Sequence, residues 1–378
     1  QDQAPGVYRR LGSINYHLVQ LRNQCAEAGG HLSLEQAPDE LYRPLQQFLR
    51  VTERWLSLNL KTPFRQELLT FYFEVNHFVR VLEAYDATYA TVMVQEGKDL
   101  NVRLYCLDPA PQMSQALARA AATVFFSGTL TPREYFRKVL GCLPEVRTIT
   151  LPSPFPPENL GVFVYTGVST LYRDREQSKE MVYDIVHAAL SQHQGNYLAF
   201  FPSYHYLQMV HALFEARCPS LDTMVQHPEM TEPERDLFVT RFSRENPRTM
   251  LGFAVMGGVF GEGIDLVGDR LKGAIIVGVG LPGLSPERNL IRDYFDHAAQ
   301  GGFDYAYRYP GINRVLQAAG RVIRTGRDQG MVLLIDQRFG FSAYRHLLHR
   351  HWRVNAARSR EELVRYIQRF WKRSPSGP

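Results

Sequence analysis

The sequence predicts an α/β chain built around a parallel sheet, with a helical segment ahead of it. Three observations point there. Beyond residue 162, strand-like and helix-like stretches alternate, as a parallel sheet with crossover helices requires. Residues 1–85 carry apolar positions at helical spacing. Between the two, TLPSPFPPENLG at 150–161 holds four prolines, a density that neither a helix nor a central strand tolerates.

In the helical segment, Gly12–Glu27 sets Ile14, Leu18 and Leu21 at helical spacing. Leu41–Leu60 repeats apolar residues at i, i+3 and i+4, and Thr62–Tyr85 is dense in Phe and Leu. Gly29-Gly30 and Pro38 punctuate the first interval. From Tyr85 the period shortens to two, so Thr88–Val94 and Asn101–Leu107 read as a hairpin around Gly97-Lys98-Asp99. A short helix at Met113–Ala121 follows, then a wholly apolar strand at Thr123–Phe126, suited to a sheet buried on both faces. Past the prolines, strands are expected at Val162–Tyr165, Tyr197–Phe201, Asp222–Val225, Thr249–Val255, Gly273–Val279 and Met331–Ile335. Helices are expected at Gln177–His193, Tyr204–Arg217, Glu232–Phe242, Pro286–His297 and Ile312–Thr325.

Composition narrows the function classes. The 378 residues are 45% hydrophobic and 21% charged, which excludes a disordered or fibrous chain. No apolar run approaches the ~20 residues of a membrane span, so a cytoplasmic protein with no membrane partner is expected. The net charge of +5 permits a polyanionic partner without demanding one. Cys25, Cys106, Cys142 and Cys218 are scattered with no C-x-x-C pair, which suits reduced thiols and argues against a disulfide framework or a local zinc site. The first methionine is Met93, and no secretory signal precedes it. The expectation is a piece of a larger protein.

Two stretches stand where a parallel sheet places its ligands. After Thr249–Val255 the chain reads MGGVFGEGIDL, with Gly257, Gly258, Gly261 and Gly263 around Glu262 and Asp265. Such glycines let backbone N–H groups approach a phosphate closely, and they equally suit an ordinary turn. The two acids need partners, since an unpaired carboxylate in an apolar turn is costly. The second stretch is GINRVLQAAGRVIRT at Gly311–Thr325. On a helix, Ile312, Val315, Leu316, Ala319, Val322 and Ile323 form the apolar face, and Arg314, Gln317, Arg321 and Arg324 the other. Two guanidiniums one turn apart make a fork for phosphate oxygens; a solvated basic face is the competing reading. Gly320 costs roughly 1 kcal/mol in a helix interior relative to Ala.

Here a resemblance becomes specific. QAAGRVIRT followed by DQGMVLLIDQRF is similar to motif VI and the following strand of the XPD/DinG group of superfamily 2 helicases. SGTL at Ser127–Leu130 resembles motif III, AFFPSY at Ala199–Tyr204 motif IV, and GEGIDL at Gly261–Leu266 motif V, in the family's order. The resemblance covers about residues 85–340. It implies RecA-like motor domains, with 1–85 as an arch-like helical segment and 86–149 as the last strands of a first motor domain. Residues 150–161 become a hinge, and 162–378 the second motor domain with basic C-terminal helices. The chain has no G-x-x-x-x-G-K-[ST], no D-E-x-H and no four-cysteine iron–sulfur insertion, all of which the family places upstream.

The resemblance also assigns roles. Arg321 and Arg324 would act as arginine fingers on the γ-phosphate, with Gln317 orienting the nucleotide or water. Glu262, Gly263 and Asp265 would face the nucleotide and link its cleft to the DNA groove. Ser203, Tyr204 and Gly258 would line a track for single-stranded DNA, while Phe200 and Phe201 are read as core. Ser127 and Thr129 would couple the two sites. ATP and Mg2+ would be held mainly by an N-terminal motor domain of the same protein, with no metal ligands here. The tail Arg345–Arg373 sets nine basic residues against Glu361 and Glu362; it suits either a nucleic-acid backbone or a solvated helix packing Leu363, Val364, Ile367 and Phe370 inward. The expected function is the C-terminal portion of an ATP-dependent DNA helicase translocating 5′ to 3′. A degenerate motor domain kept as a nucleic-acid- or protein-binding module is the alternative, and an RNA substrate stays open.

Overall fold

The computed structural model describes residues 3–262, 266, 268–299 and 301–373, apart from the side chains of Glu262 and Ala299. The chain divides into two compact units. The first comprises residues 1–122, 138–142 and 285–300, and the second residues 123–137, 143–284 and 301–378.

In the first unit, helix α1 (Pro5–Glu27) leads through Gly29 and Gly30 into strand β1 (His31–Leu34). Helices α2 (Asp39–Leu58) and α3 (Arg65–Glu83) follow, then β2 (Tyr89–Glu96), β3 (Asp99–Cys106) and α4 (Ala110–Leu117). The hairpin expected around Gly97 forms in full register from Tyr89↔Cys106 to Glu96↔Asp99, with Gly97 at φ 63°. The interval between the first two expected helices, punctuated by Gly29-Gly30 and Pro38, contains β1, which pairs antiparallel with β2 from His31↔Val94 to Leu34↔Thr91. HLSL is a strand because a partner 60 residues on holds it, which no local period reveals. Ile14, Leu21, Phe48, Val75 and Met93 meet in the core.

Helix α5 (Arg133–Val139) begins in the second unit and ends in the first. The strand expected at Thr123–Phe126 does not form. Val124 is 81% and Phe126 89% exposed, and the segment has no ladder partner among the described residues. A single apolar run becomes a buried strand only when neighbours supply both its hydrogen bonds and its cover.

The second unit holds strands β4 (Leu160–Tyr165), β5 (Asn196–Phe201), β6 (Asp222–Val225), β7 (Met250–Val255), β8 (Gly273–Val277), β9 (Gly330–Ile335) and β10 (Val354–Ala357). They form one seven-stranded sheet in the order β10-β4-β9-β8-β5-β7-β6, parallel at every pairing. The connecting helices are α6 (Arg175–Leu190), α7 (Tyr204–Arg217), α8 (Glu232–Thr240), α9 (Val259–Glu262), α11 (Tyr309–Ala319), α12 (Ser342–Arg345) and α13 (Arg360–Trp371); α10 (Pro286–Ala299) counts with the first unit.

Successive strand residues point to opposite faces, and both faces are covered. Leu198, Phe200, Ile276 and Leu334 pack with Phe238, Ile312 and Leu316 on one side. Ala199, Phe201, Ile275 and Leu333 pack with Val182, Val210 and Leu363 on the other. That double burial is why these strands read as continuous apolar runs. The tail helix α13 buries Leu363, Ile367 and Phe370, as its inward-packing reading requires.

Candidate functional site

Because every ladder of the sheet is parallel, the carboxyl ends of all its strands share one edge, where ligands of such sheets gather. Three polar constellations start from that edge, the first of them running along α11 toward the start of β9.

The first joins β7 to α11. Gly257 adopts φ 74°, open to glycine at little cost. A Cβ there would lie 2.8 Å from Arg314 Nε, so glycine is also what lets the guanidinium pass. Seven residues after Arg314, Arg321 is only 9% exposed and donates to the Gly261 carbonyl from Nε at 3.1 Å and from Nη2 at 2.8 Å. The residues resembling motifs V and VI are thus bonded directly.

The helix expected to run to Thr325 ends at Ala319, with Gly320 as its cap. Beyond it the chain turns so that Val322 is buried against the start of β9; a Cβ on Gly330 would lie 2.4 Å from Val322 Cγ1. Arg321 and Arg324 therefore do not form a helical fork. Arg321 turns inward, whereas the Arg324 side chain is exposed. The Arg324 N–H donates to the buried Asp328 carboxylate at 2.7 Å, and Thr325 donates to it from N at 2.8 Å and Oγ1 at 2.6 Å. Gln317 is half-buried on α11. Gly263 and Asp265 lie outside the described residues, as does the Glu262 side chain.

The second constellation sits where β5 meets α7. Ser203 caps α7, its Oγ accepting from the Tyr206 N–H at 3.3 Å and from Arg175 Nη1 at 3.1 Å. Arg175 also packs against the rings of Tyr172 and Tyr206, 5.4 and 5.3 Å from their centroids. Burial lowers its pKa from the ordinary arginine value, with the tyrosines opposing. Tyr204, half-buried, accepts from Gln226 Nε2 at 3.1 Å. Phe200 and Phe201 are fully buried, so both are core.

The third constellation follows β9. Asp336 is 0% exposed, and its carboxylate accepts from Arg338 N, Nε and Nη2 at 2.7, 2.8 and 2.9 Å. It also accepts from Thr170 N at 3.3 Å and from the Thr170 hydroxyl. Burial opposes the charge on Arg338, but its bonds and attraction to Asp336 outweigh that and raise its pKa. The Thr170 carbonyl in turn accepts from Arg175 Nε at 3.4 Å, linking this group to Ser203. Sequence reasoning missed Thr170, Arg175, Gln226, Asp336 and Arg338. Gln226, Asp336 and Arg338 signal themselves only as polar residues just past a strand end, and Thr170 and Arg175, farther beyond β4, carry no such signal.

Ser127 and Thr129 lie on the exposed stretch before α5. Their hydroxyls are 3.3 Å apart, and the Thr129 N–H donates to Ser127 Oγ at 3.1 Å. Two residues on, the Thr131 carbonyl accepts from Asn313 Nδ2 of α11 at 3.0 Å, so SGTL is tied to the helix bearing Gln317. Among the described residues, no cluster of His, Cys, Asp or Glu is arranged to hold a metal. No described helix is long and apolar enough to cross a membrane.

Comparison with known proteins gives this edge a context. Residues 186–355 match the helicase C-terminal domain. The ATP-dependent DNA helicase CHL1 of Debaryomyces hansenii is 24% identical over 269 residues, covering 64% of this chain and 33% of that protein. The chain thus spans about a third of the length of the curated relatives it matches. Among solved structures, an XPD helicase superposes with a TM-score of 0.55 at 19% identity, covering 83% of this chain and 56% of that one. The Xpd4 protein of S. tokodaii does so at 0.54 and 14%, covering 93% and 71%. Over residues 186–355 the chain is similar to the helicase C-terminal domain, over about two thirds of its length it is similar to ATP-dependent DNA helicases of the CHL1 kind, and its fold is shared with XPD structures.

Proposed function

We propose that the chain provides the second motor domain of an ATP-dependent DNA helicase that moves 5′ to 3′ along a single strand. In this reading a first motor domain holds ATP and Mg2+. Arg321 and Arg324, with Gln317, complete the nucleotide cleft, and Glu262, Gly263 and Asp265 flank it. Ser203, Tyr204 and Gly258 track the strand, and Ser127 and Thr129 couple the two sites.

The observation that carries the reading is the bidentate bond from Arg321 to the Gly261 carbonyl. It holds a guanidinium against the glycine-rich turn that follows β7, and so fastens the residues resembling motif VI to those resembling motif V. A preorganised cation of this kind stabilises charge that grows in the transition state without reorganising at the moment of reaction. A retained binding scaffold would keep the same bond for stability alone, so kinetics separate the two. In the complete protein, Arg321→Ala is expected to lower kcat for ATP by about 10³-fold or more, the scale of arginine fingers, while KM changes far less. Equal losses in both, or none in either, would make Arg321 a structural clamp.

A further inference from the structure

Gln226 stands one residue beyond β6 and is 6% exposed. Its Oε1 accepts from the Val255 N–H at 2.8 Å, and its Nε2 donates to the Tyr204 hydroxyl at 3.1 Å. A Cβ on Gly258 would lie 3.1 Å from that same Nε2. One buried amide therefore touches both the first residue of α7 and the turn after β7, which are distant in sequence.

The chemistry of the amide fixes the direction of these bonds. A backbone N–H can only donate, so the Val255 N–H requires the carbonyl end of Gln226, which leaves the NH2 end facing Tyr204. The Tyr204 oxygen is then the acceptor in that bond, and its own proton is directed elsewhere. Tyr204 is half-buried, at the carboxyl edge of the sheet.

We propose that Gln226 is a positioning residue for a nucleic-acid backbone contact: it holds the Tyr204 oxygen as an acceptor and so leaves the phenolic proton for a phosphate oxygen of the bound strand. The proposal rests on the reading of Tyr204 and Gly258 as part of a single-strand track. It adds a residue that touches no ligand and acts through Tyr204. It also accounts for the amide, since a carboxylate at 226 would take the tyrosine proton for itself, and an apolar side chain would leave it undirected.

The test is a double-mutant cycle on the chain, with a fluorescent oligothymidylate as probe and anisotropy as readout. Thermal melting of each variant reports folding separately. A hydrogen bond to a charged group corresponds to about a tenfold or larger change in affinity. Gln226→Met and Tyr204→Phe are each expected to weaken binding about tenfold, and the double variant no further, because both remove one contact. Gln226→Glu keeps an acceptor for the Val255 N–H and is expected to lose as much, at high salt as well as low. Losses that multiply to about a hundredfold, or a Gln226→Glu loss that vanishes as salt screens its charge, would overturn the positioning role. So would wild-type affinity in Gln226→Met. Failure of the unsubstituted chain to bind the oligonucleotide would instead overturn the track reading itself, and this proposal with it.

Discussion

Removing the Asp336 carboxylate tests how the sheet edge is held. Asp336→Ala leaves the Arg338 guanidinium, whose side chain is only 14% exposed, without its counter-charge, and strips the Thr170 and Arg338 N–H groups of their acceptor. Breaking a buried ion pair from one side costs about 3–5 kcal/mol. In a unit of this size each kcal/mol moves the midpoint by about 2–4 °C, so scanning calorimetry should record a drop of about 6–20 °C. Arg338→Met added to Asp336→Ala should recover part of that drop, since the uncompensated charge then disappears. The Thr170 carbonyl supports Arg175, and Arg175 supports Ser203. Asp336→Ala should therefore also weaken oligothymidylate binding at temperatures where the variant is fully folded. A midpoint shift below about 3 °C, or a double variant less stable than Asp336→Ala alone, would refute the argument that the buried charge pair governs this edge.

Other expectations can be checked with the same material. The 378-residue chain, which contains no G-x-x-x-x-G-K-[ST], should hydrolyse no ATP above background even with single-stranded DNA; DNA-stimulated turnover by the purified chain would contradict the assignment. Arg321→Ala should destabilise the chain by about 1.5–3 kcal/mol, the worth of a charge-assisted hydrogen bond. Arg324→Ala should change stability by under about 1 kcal/mol, because its side chain is exposed and the N–H that Asp328 holds survives the substitution; urea midpoints decide. Burial, with a lesser effect from the stacked His351, pushes His349 down to about 4. Unfolded histidine titrates near 6.5, so the unfolded chain takes up a proton that the folded chain refuses between about pH 6.5 and 4. Stability should fall as pH drops through that window, by about 2 kcal/mol after allowance for partial solvent screening. His349→Gln should flatten that part of the urea-midpoint profile.

What the sequence made legible follows from which forces are local. Gly273–Val279, which ends in the structure at Val277, and Met331–Ile335 read as strands because burial on both faces demands an unbroken apolar run, and the glycine at 97 marks its hairpin by its backbone freedom alone. His31–Leu34 escaped because its strand state is conferred by β2. The edge strand β10 escaped for a related reason: VNAA exposes most of its residues and is a strand only because β4 offers a ladder. Thr123–Phe126 failed in the opposite sense, having the composition of a buried strand without a neighbour to bury it.

The misread end of α11 shows how a periodic signal can carry past a backbone break. The apolar period continues through Val322 and Ile323, so pattern alone extends the helix to Thr325. Gly320 ends it because the residues beyond gain more by turning toward β9 than by adding another helical turn; Val322 is buried there, and Asp328 satisfies the N–H groups of Arg324 and Thr325. That break separates the two arginines. On a continuous helix Arg321 and Arg324 would present one fork to solvent and to any phosphate alike. With the helix stopped, Arg321 is drawn down to the Gly261 carbonyl while Arg324 stays at the surface, so the same motif yields one buried cation fixed to the glycine turn and one exposed cation on a braced loop. Gln226 and Asp336 illustrate the complementary blindness: each is a lone polar residue just past a strand, and its partners become visible only once the order of the parallel strands brings their carboxyl ends to one edge.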